Sequence, residues 1–567
     1  MTSMTTLASI IKGALDVLNS YDLNLEPSIE GALKVSKEAV MHETEVPIVG
    51  IRGPPGTGKT KIMEGLTYNK DVISELLDGA VKFLYIAPTN ELTTSGFVRA
   101  LTPILKRLQE EGLSVEEALS KIRICGSSVP RPYLSNKEID ELKSRANVDK
   151  DLLNKIACGK IDDATFIFTT DYQRVSARAS ASSYHRFVMF VDEASKAPFY
   201  LPFTPISDSE LKRLASELKD SKAIKVSGGI IHGLIVVGDE RQAIARGPEY
   251  QGFGKKLLVL PKIEEVLEAL GYADTQFLTL TTTFRLPSPT EEPIGRGFYS
   301  DVGGLKAYYD SRIRMAQAFK NIGDLKERLD RCRNAYDNDL WRFTIDKLLE
   351  PALTDLNNPK PIIIMNVANT IPSGSQFEPC RVKLAVYFAL ALNCISDQRL
   401  GISVIAPYVD LVDSARYYYN KLYNKLIRGK ITEGREGHVR FLTVQSMLGG
   451  EDDIIISMLG KEWSDPSEPT IYFREPENLN VQFSRHKVML IVIGNLLRLR
   501  NSAAKAAQNE ALSDRYDVGD FKRIRETADT LLELAGIHAP PTKLAKGFSS
   551  SIGDYAIFYK IDKNRCG

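Results

Sequence analysis

The sequence predicts an α/β protein with two parallel-sheet domains in tandem, each carrying a helical insertion. Short β-branched and aromatic runs recur along the chain, each closing on polar residues or glycine. Charged stretches of helical periodicity separate them, which is the pattern of parallel strands joined by crossover helices. At 567 residues there is room for three or four units of roughly 150 residues each, with real cores.

The first group of strands is read at Val46–Ile51, Lys82–Ala87, Ala164–Thr169, Phe187–Val191 and Leu234–Val237. The second is read at Phe277–Thr281, Pro361–Val367, Ile402–Ala406, Val439–Val444, Asp453–Met458 and Val488–Ile493, with the boundary near Gly252–Gly271. The expected organisation is an N-terminal helical segment (1–45), a first domain (46–255), a second (256–500) and a C-terminal extension (501–567). Leu101–Asp163 is charged and Leu/Ile-periodic, so it is expected to be a helical insertion in the first domain. Ser300–Asn358 is read the same way in the second, with two consecutive helices over Leu325–Leu349. The extension holds a charged helix (Val518–Gly536), a Pro-Pro turn and a strand-like run (Tyr555–Ile561) that could cap either core.

Charged residues make up 26% of the chain and the net charge is +1, so bulk composition signals neither nucleic acid nor an acidic partner. Cys125, Cys158, Cys332, Cys380, Cys394 and Cys566 show no CxxC or Cys/His metal spacing. The expectation is therefore no structural zinc, no iron–sulfur cluster and no disulfide framework, in a reducing compartment. No apolar run approaches about 18 residues, so neither a signal peptide nor a membrane span is expected, and the chain is read as cytoplasmic or otherwise intracellular.

The most informative stretch follows the first strand: Gly53, Pro54, Pro55, Gly56, Thr57, Gly58, Lys59 and Thr60. Glycines there let successive N–H groups curl around phosphates, Lys59 reaches the outer phosphates and the Thr60 hydroxyl can ligate magnesium. The helix that follows points its positive end at the same anion, so a nucleoside triphosphate is expected here. Phe187–Val191 ends in Asp192 and Glu193, acids at a strand terminus, where Asp192 would hold magnesium and Glu193 would orient an attacking water. The next strand ends in Gly238-Asp239, with Gln242 three residues on as a neutral outer-phosphate sensor. In the second domain, Phe284-Arg285 and Ser484-Arg485 each place an arginine beside a strand, and such arginines can stabilise charge on a transferred phosphoryl group.

In this order and spacing the motifs resemble those of the superfamily 1 helicases, and within them the 5′-to-3′ group that includes the up-frameshift helicase of nonsense-mediated decay. The resemblance runs from about Val46 to Asn495. Gly53–Thr60 is similar to motif I, Ala87-Pro88-Thr89-Asn90 to motif Ia, and Thr169-Thr170 falls where a nucleic-acid motif is expected. Val191–Ser195 resembles motif II and Val237–Gln242 motif III. Leu280 to Arg285, with Phe298-Tyr299, resembles motif IV, and Ile405–Tyr408 the strand and turn after it. Thr443 to Ser446 with Gly449–Glu451 resembles motif V, and Ser484-Arg485 motif VI.

The resemblance implies two tandem RecA-like domains and an ATP- and Mg2+-dependent helicase or translocase moving 5′ to 3′ on single-stranded DNA or RNA, acting as a monomer. It implies that Gln242, Arg285 and Arg485 sense the outer phosphates, that Phe284 stacks on the base and that Glu451 meets the ribose hydroxyls. Thr89, Asn90, Thr170, Pro407, Thr443 and Ser446 would hold the strand through its backbone, so binding should tolerate any sequence.

The chain departs from the pattern at Gln445, Met447, Leu448 and Gly450 in motif V, and at His486, where the family has a small residue. No adenine-reading Gln precedes the phosphate loop; Glu30 stands near its place. The Ser/Ala/Arg-rich stretch Ser176–Ser183 reads equally as a mobile loop or a nucleic-acid-facing one. A second function stays open: a nucleic-acid-stimulated clamp or protein-displacing ATPase that does not separate strands. A third, a phosphate-loop NTPase without nucleic acid, predicts no second arginine-bearing domain.

Overall fold

The structure is a computed structural model that describes residues 48–77, 81–125, 156, 163–170, 185–195, 224–226, 229–242, 277–320, 325–355, 357–368, 371–372, 375–396, 399–426, 439–447, 449–462, 470–509, 512, 516–538 and 550–561. The expected N-terminal helical segment, Glu30, Ser176–Ser183 and the expected boundary at Gly252–Gly271 lie outside these residues. By its internal contacts the chain divides into two units: Met1–Gly53 with Gly58–Leu280, and Pro54–Thr57 with Thr281–Gly567.

The first unit is an α/β sheet of β1 (Ile48–Arg52), β2 (Lys82–Ile86), β3 (Ile122–Cys125), β4 (Phe166–Thr169), β5 (His185–Val191), β6 (Ile224–Val226), β7 (Gly229–Gly238) and β8 (Phe277–Thr279). Its order is β3-β4-β2-β5-β7-β1-β8, all parallel, with β6 antiparallel on β7. The order matters for chemistry, because β5, β7 and β1 are neighbours and their C-terminal ends are in register: Val191 opposite Val236, and Arg52 opposite Gly238. The glycine-rich loop that begins at Gly53, Asp192-Glu193 and Asp239 therefore emerge side by side at one edge, where open α/β sheets place ligands. Phe83, Tyr85, Phe97, Phe168 and Phe190 fill the core against this sheet.

The second unit holds β9 (Thr282–Thr283), β10 (Lys306–Ala307), β11 (Ile362–Val367), β12 (Ile402–Ala406), β13 (Val439–Thr443), β14 (Asp452–Met458), β15 (His486–Gly494), β16 (Ser550–Ile552) and β17 (Ala556–Ile561). β9 and β10 pair as a short parallel ribbon; the others form a sheet of order β13-β12-β14-β15-β11-β17-β16. Five of these strands are near-continuous apolar runs, as a sheet covered on both faces requires. The helix Pro379–Ile395 is buried along almost its whole length. Even so, among the described residues no helix is long and apolar enough to cross a membrane.

Two parallel-sheet α/β units in tandem is the fold class expected, but four expectations need correction. Phe277–Thr281, expected in the second core, instead supplies β8, which pairs with β1 and completes the first sheet. Leu101–Asp163 is not a wholly helical insertion: its described part ends the helix Asn90–Glu110, adds the short helix Val115–Ser120, and then supplies β3, which pairs with β4. The C-terminal run is not an independent cap, because β17 lies parallel to β11 inside the second sheet. Finally, Cys332 and Cys394 form a disulfide between the helices Leu325–Arg333 and Pro379–Ile395, and Cys125 and Cys380 each take part in a separate disulfide. The bonded pair is 62 residues apart, so packing and not spacing brings it together, and the cysteines give no argument for a reducing compartment.

Candidate functional site

β1 runs into the expected phosphate loop, whose Gly53 N–H donates to Gly238 O on the neighbouring strand at 2.9 Å. Within the loop, Thr57 Oγ1 donates to Pro54 O at 2.9 Å, and Lys61 N–H to Gly58 O at 2.8 Å as the helix Lys59–Leu66 begins. Gly56 has φ +75°, and a Cβ there would stand 2.4 Å from Arg285 Cβ, so only glycine fits. Lys59 Nζ donates to Gly53 O, folding the lysine over its own loop. The Thr60 hydroxyl, the expected metal ligand on this helix, lies outside the described side chains.

At the end of β5, Asp192 is buried, and its two oxygens accept from Tyr85 O–H (2.8 Å) and Glu193 N–H (2.9 Å). Burial and then the Glu193 charge push its carboxyl up, against the two hydrogen bonds and the Lys59 charge. Burial and the Asp192 charge likewise hold the Tyr85 hydroxyl well above its ordinary value, so it stays a proton donor. Both Asp192 oxygens keep lone pairs beyond these bonds, and a cation would relieve the cost of burying the charge, so the residue fits a hard divalent ion. Among the described residues no cluster of three His, Cys, Asp or Glu forms a fuller metal site.

Glu193 has φ +49°, rare for a residue with a side chain. Its neighbours fix it there: Asp192 N–H donates to Ile86 O and Ala194 N–H to Val237 O, on the strands either side. Such strain persists only where surroundings over-determine it. Ser195 Oγ then accepts from Asp239 N–H at 3.1 Å, and a Cβ on Gly238 would come within 2.8 Å of Ser195 N, so the two strand ends interlock. Gln242, in the turn Glu240–Gln242, donates to Asp239 Oδ2 and is buried, while Glu240 pairs with Arg52 at 3.1 Å.

In the second unit, the loop tip Pro54–Thr57 meets the segment after β8. Thr283 Oγ1 donates to Pro55 O (2.8 Å) and Phe284 N–H to Gly56 O (2.9 Å), which sets Arg285 against the tip. Arg285 Nε lies 2.8 Å from Glu451 Oε2, and Nη1 donates to Ser484 O at 3.2 Å. Lys487 Nζ takes the other Glu451 oxygen at 2.8 Å. Partial burial works against ionising Glu451, but the Arg285 and Lys487 charges and hydrogen bonds outweigh it and hold the carboxyl at about 2. Glu451, expected at a ribose, is thus ion-paired with an expected phosphate sensor.

Arg485, read as an arginine finger, is a fully buried side chain. Its neighbour His486 is buried as well, with Nε2 2.8 Å from Thr290 Oγ1. The Thr290 hydroxyl donates its proton to Pro287 O, so the ring nitrogen must be the donor. Burial first, and then the Arg285 charge, keep the ring neutral, with its pKa lowered to about 3. Asn480 Nδ2 donates to Tyr299 O–H at 2.7 Å, a further tie between the two arginine-bearing segments. Phe284 packs at 5.1 Å against Tyr308, which is 50% exposed, and Tyr309 beyond it carries the Arg314 guanidinium 3.7 Å over its ring.

The expected strand contacts all follow the C-terminal ends of parallel strands, but their environments differ. Thr89 is exposed and caps the helix Asn90–Glu110 through Leu92 N–H. Thr170 is buried, so in this structure it is no surface contact. Thr443 Oγ1 and Ser446 Oγ lie 2.9 Å apart in one turn after β13, Ser446 exposed and Thr443 half-buried, with Pro407 half-buried after the adjacent β12. Within the second sheet these residues sit at the opposite edge from Glu451, Arg485 and Lys487, which lie at the starts of β14 and β15.

Sequence reasoning missed Tyr85, Thr290, Tyr308 and Lys487. Only Tyr85 carried a signal, a polar-tipped aromatic one residue from the end of an apolar strand.

No family model and no curated protein matches this chain. Among solved structures, it is similar to arterivirus nonstructural protein 10 (helicase) in complex with DNA, at 11% identity over 82% of this chain and 64% of that one, with a TM-score of 0.33. It thus spans less than two thirds of that protein's length. It is also similar to the DEAD-box helicase Mss116 bound to ssRNA and UDP-BeF, at 10% identity over 97% and 81% of the chains, TM-score 0.39. A third likeness is to the Hef helicase domain of Pyrococcus furiosus, at 15% identity over 81% and 95%, TM-score 0.28.

Proposed function

We propose that this chain is an ATP-dependent nucleic-acid motor: an ATPase stimulated by single-stranded DNA or RNA that moves 5′ to 3′ and unwinds duplexes. The observation that carries the reading is the shared edge of β5, β7 and β1. It sets the phosphate loop, Asp192-Glu193 and Asp239-Gln242 side by side, and the same chain carries a second parallel-sheet unit with Arg285 beside the loop tip. Phosphoryl transfer asks the protein mainly for positioning and for charge stabilisation, and these residues are of the right kinds.

In this reading Lys59 leaves Gly53 O for the outer phosphates. Asp192 would hold Mg2+, which when bound neutralises phosphate charge. Glu193, fixed by its strained backbone, orients the attacking water, and Gln242, braced by Asp239, reads the outer phosphate. Arg285 supplies positive charge, and Phe284 offers a face to the base. Thr89, Asn90, Pro407, Thr443 and Ser446 hold the strand by its backbone, and Thr170 joins them only if its environment opens. The direction of movement and strand separation rest on the motif resemblance alone.

The test is steady-state ATP hydrolysis with unwinding of a duplex carrying a 5′ single-stranded tail. Stimulated hydrolysis with unwinding supports the motor. Stimulated hydrolysis without it would replace the motor with the clamp or protein-displacing ATPase.

A further inference from the structure

Glu451 is shared by two cations, one on each oxygen: Arg285 Nε on Oε2 and Lys487 Nζ on Oε1, both at 2.8 Å. The Arg285 side chain is 11% exposed, Glu451 34% and Lys487 36%, so the lysine stands on the solvent side of the carboxylate. A carboxylate left alone with an arginine favours the two-pronged pairing in which both oxygens take parallel N–H donors. Here Oε1 is turned to Lys487 instead, which orients the carboxylate so that only Oε2 meets the arginine. Arg285 is left with a one-pronged bond through Nε, a second bond from Nη1 to Ser484 O, and an Nη2 edge that no described residue engages. The same arginine is pressed against the loop tip, its Cβ beside Gly56.

We propose that Lys487 is a positioning residue: by holding one oxygen of Glu451, it keeps the Nη2 edge of Arg285 out of a closed ion pair and available to the phosphates of a nucleotide at the loop. The inference rests on the function proposed above. Without Lys487, Glu451 closes on Nε and Nη2 together and sequesters the donors the phosphates need. The carboxyl, held at about 2, stays ionised throughout the working pH range, so the device is permanently set.

The experiment measures kcat and KM for ATP in Lys487→Met, Lys487→Arg, Arg285→Ala and the Lys487→Met/Arg285→Ala double variant. Thermal melts are run on Lys487→Met, Glu451→Gln and their combination. Lys487→Met should lower kcat by about 10- to 100-fold, the range for partners that orient a reacting group, with KM changed less than about threefold. Lys487→Arg should recover most of the loss. In the Arg285→Ala background Lys487→Met should cost no more, because there is no arginine left to sequester, and the melts should be non-additive across Lys487 and Glu451. Wild-type turnover in Lys487→Met, an equal loss with and without Arg285, or additive melts would each overturn the proposal. Non-additive melts in a protein that hydrolyses no nucleotide would instead sink the function reading, and the positioning role with it, while leaving the ion pair in place.

Discussion

Asp192 and Glu451 are carboxylates of similar sequence setting, each beside a strand terminus and each expected at a nucleotide, yet their surroundings drive them in opposite directions. Asp192 is buried, takes hydrogen bonds from two neutral donors and is pushed up; Glu451 is partly exposed, carries two cations and is held at about 2. A carboxylate that pays for burial without a bonded cation suits an incoming divalent ion. One already paired with two cations would, on the proposal above, orient them. In the proposed reading the first unit would hold the metal, and the second would orient positive charge.

The sharpest way to break this comparison is to neutralise each acid. Asp192→Asn should reduce Mg2+-dependent hydrolysis by on the order of 10³-fold, since it removes the proposed metal ligand. Its melting temperature should hold or rise, because a costly buried charge is gone. Glu451→Gln should do the reverse in stability, losing about 1 kcal/mol as two cations lose their partner. If calorimetry finds Asp192→Asn the less stable of the two, the contrast is wrong. Arg285→Ala comes next, with turnover lower by on the order of 10³-fold and nucleotide binding little changed. Equal losses in turnover and binding would mean a structural arginine.

Acid titration sharpens the contrast further. The unfolded state takes up the His486 proton near pH 6.5, while the folded ring resists it down to about 3, so stability present above 6.5 should drain away as pH falls through that window. The slope should be at most about 1.4 kcal/mol per pH unit and absent in His486→Gln. Glu451 adds its own loss lower down, from about pH 4.3 toward 2, and Arg285→Ala should move that loss upward. Melting curves from pH 7 to 4 would read the first effect. The smallest effect expected is at Thr89: removing the cap with Thr89→Ala should cost about 1 kcal/mol, and strand affinity should fall modestly if the hydroxyl also meets the phosphate backbone.

The strand runs were legible because apolar β-branched stretches such as Ile402–Ala406 have few other structures open to them. Partnership was not. Phe277–Thr279 reads the same in either sheet, and only its pairing with β1 assigns it. β3 was missed because Ile122–Cys125 offers two alternating isoleucines after a long helical pattern, too short a signal to break the period. Among the candidate site residues, Gly53–Thr60 and Asp192-Glu193 stand out in the sequence because each is contiguous. Tyr85 with Asp192, Thr290 with His486, and Arg285 with Glu451 are 107, 196 and 166 residues apart, so nothing local encodes them. The Cys332–Cys394 bond escaped for the same reason.

The most direct test is ATP hydrolysis by the purified protein with Mg2+, with and without single-stranded DNA and, separately, single-stranded RNA, beside Asp192→Asn as the control. Strong stimulation by one of the strands, lost in the control, is the result predicted. Hydrolysis that neither strand stimulates, or that survives in Asp192→Asn, would contradict the account.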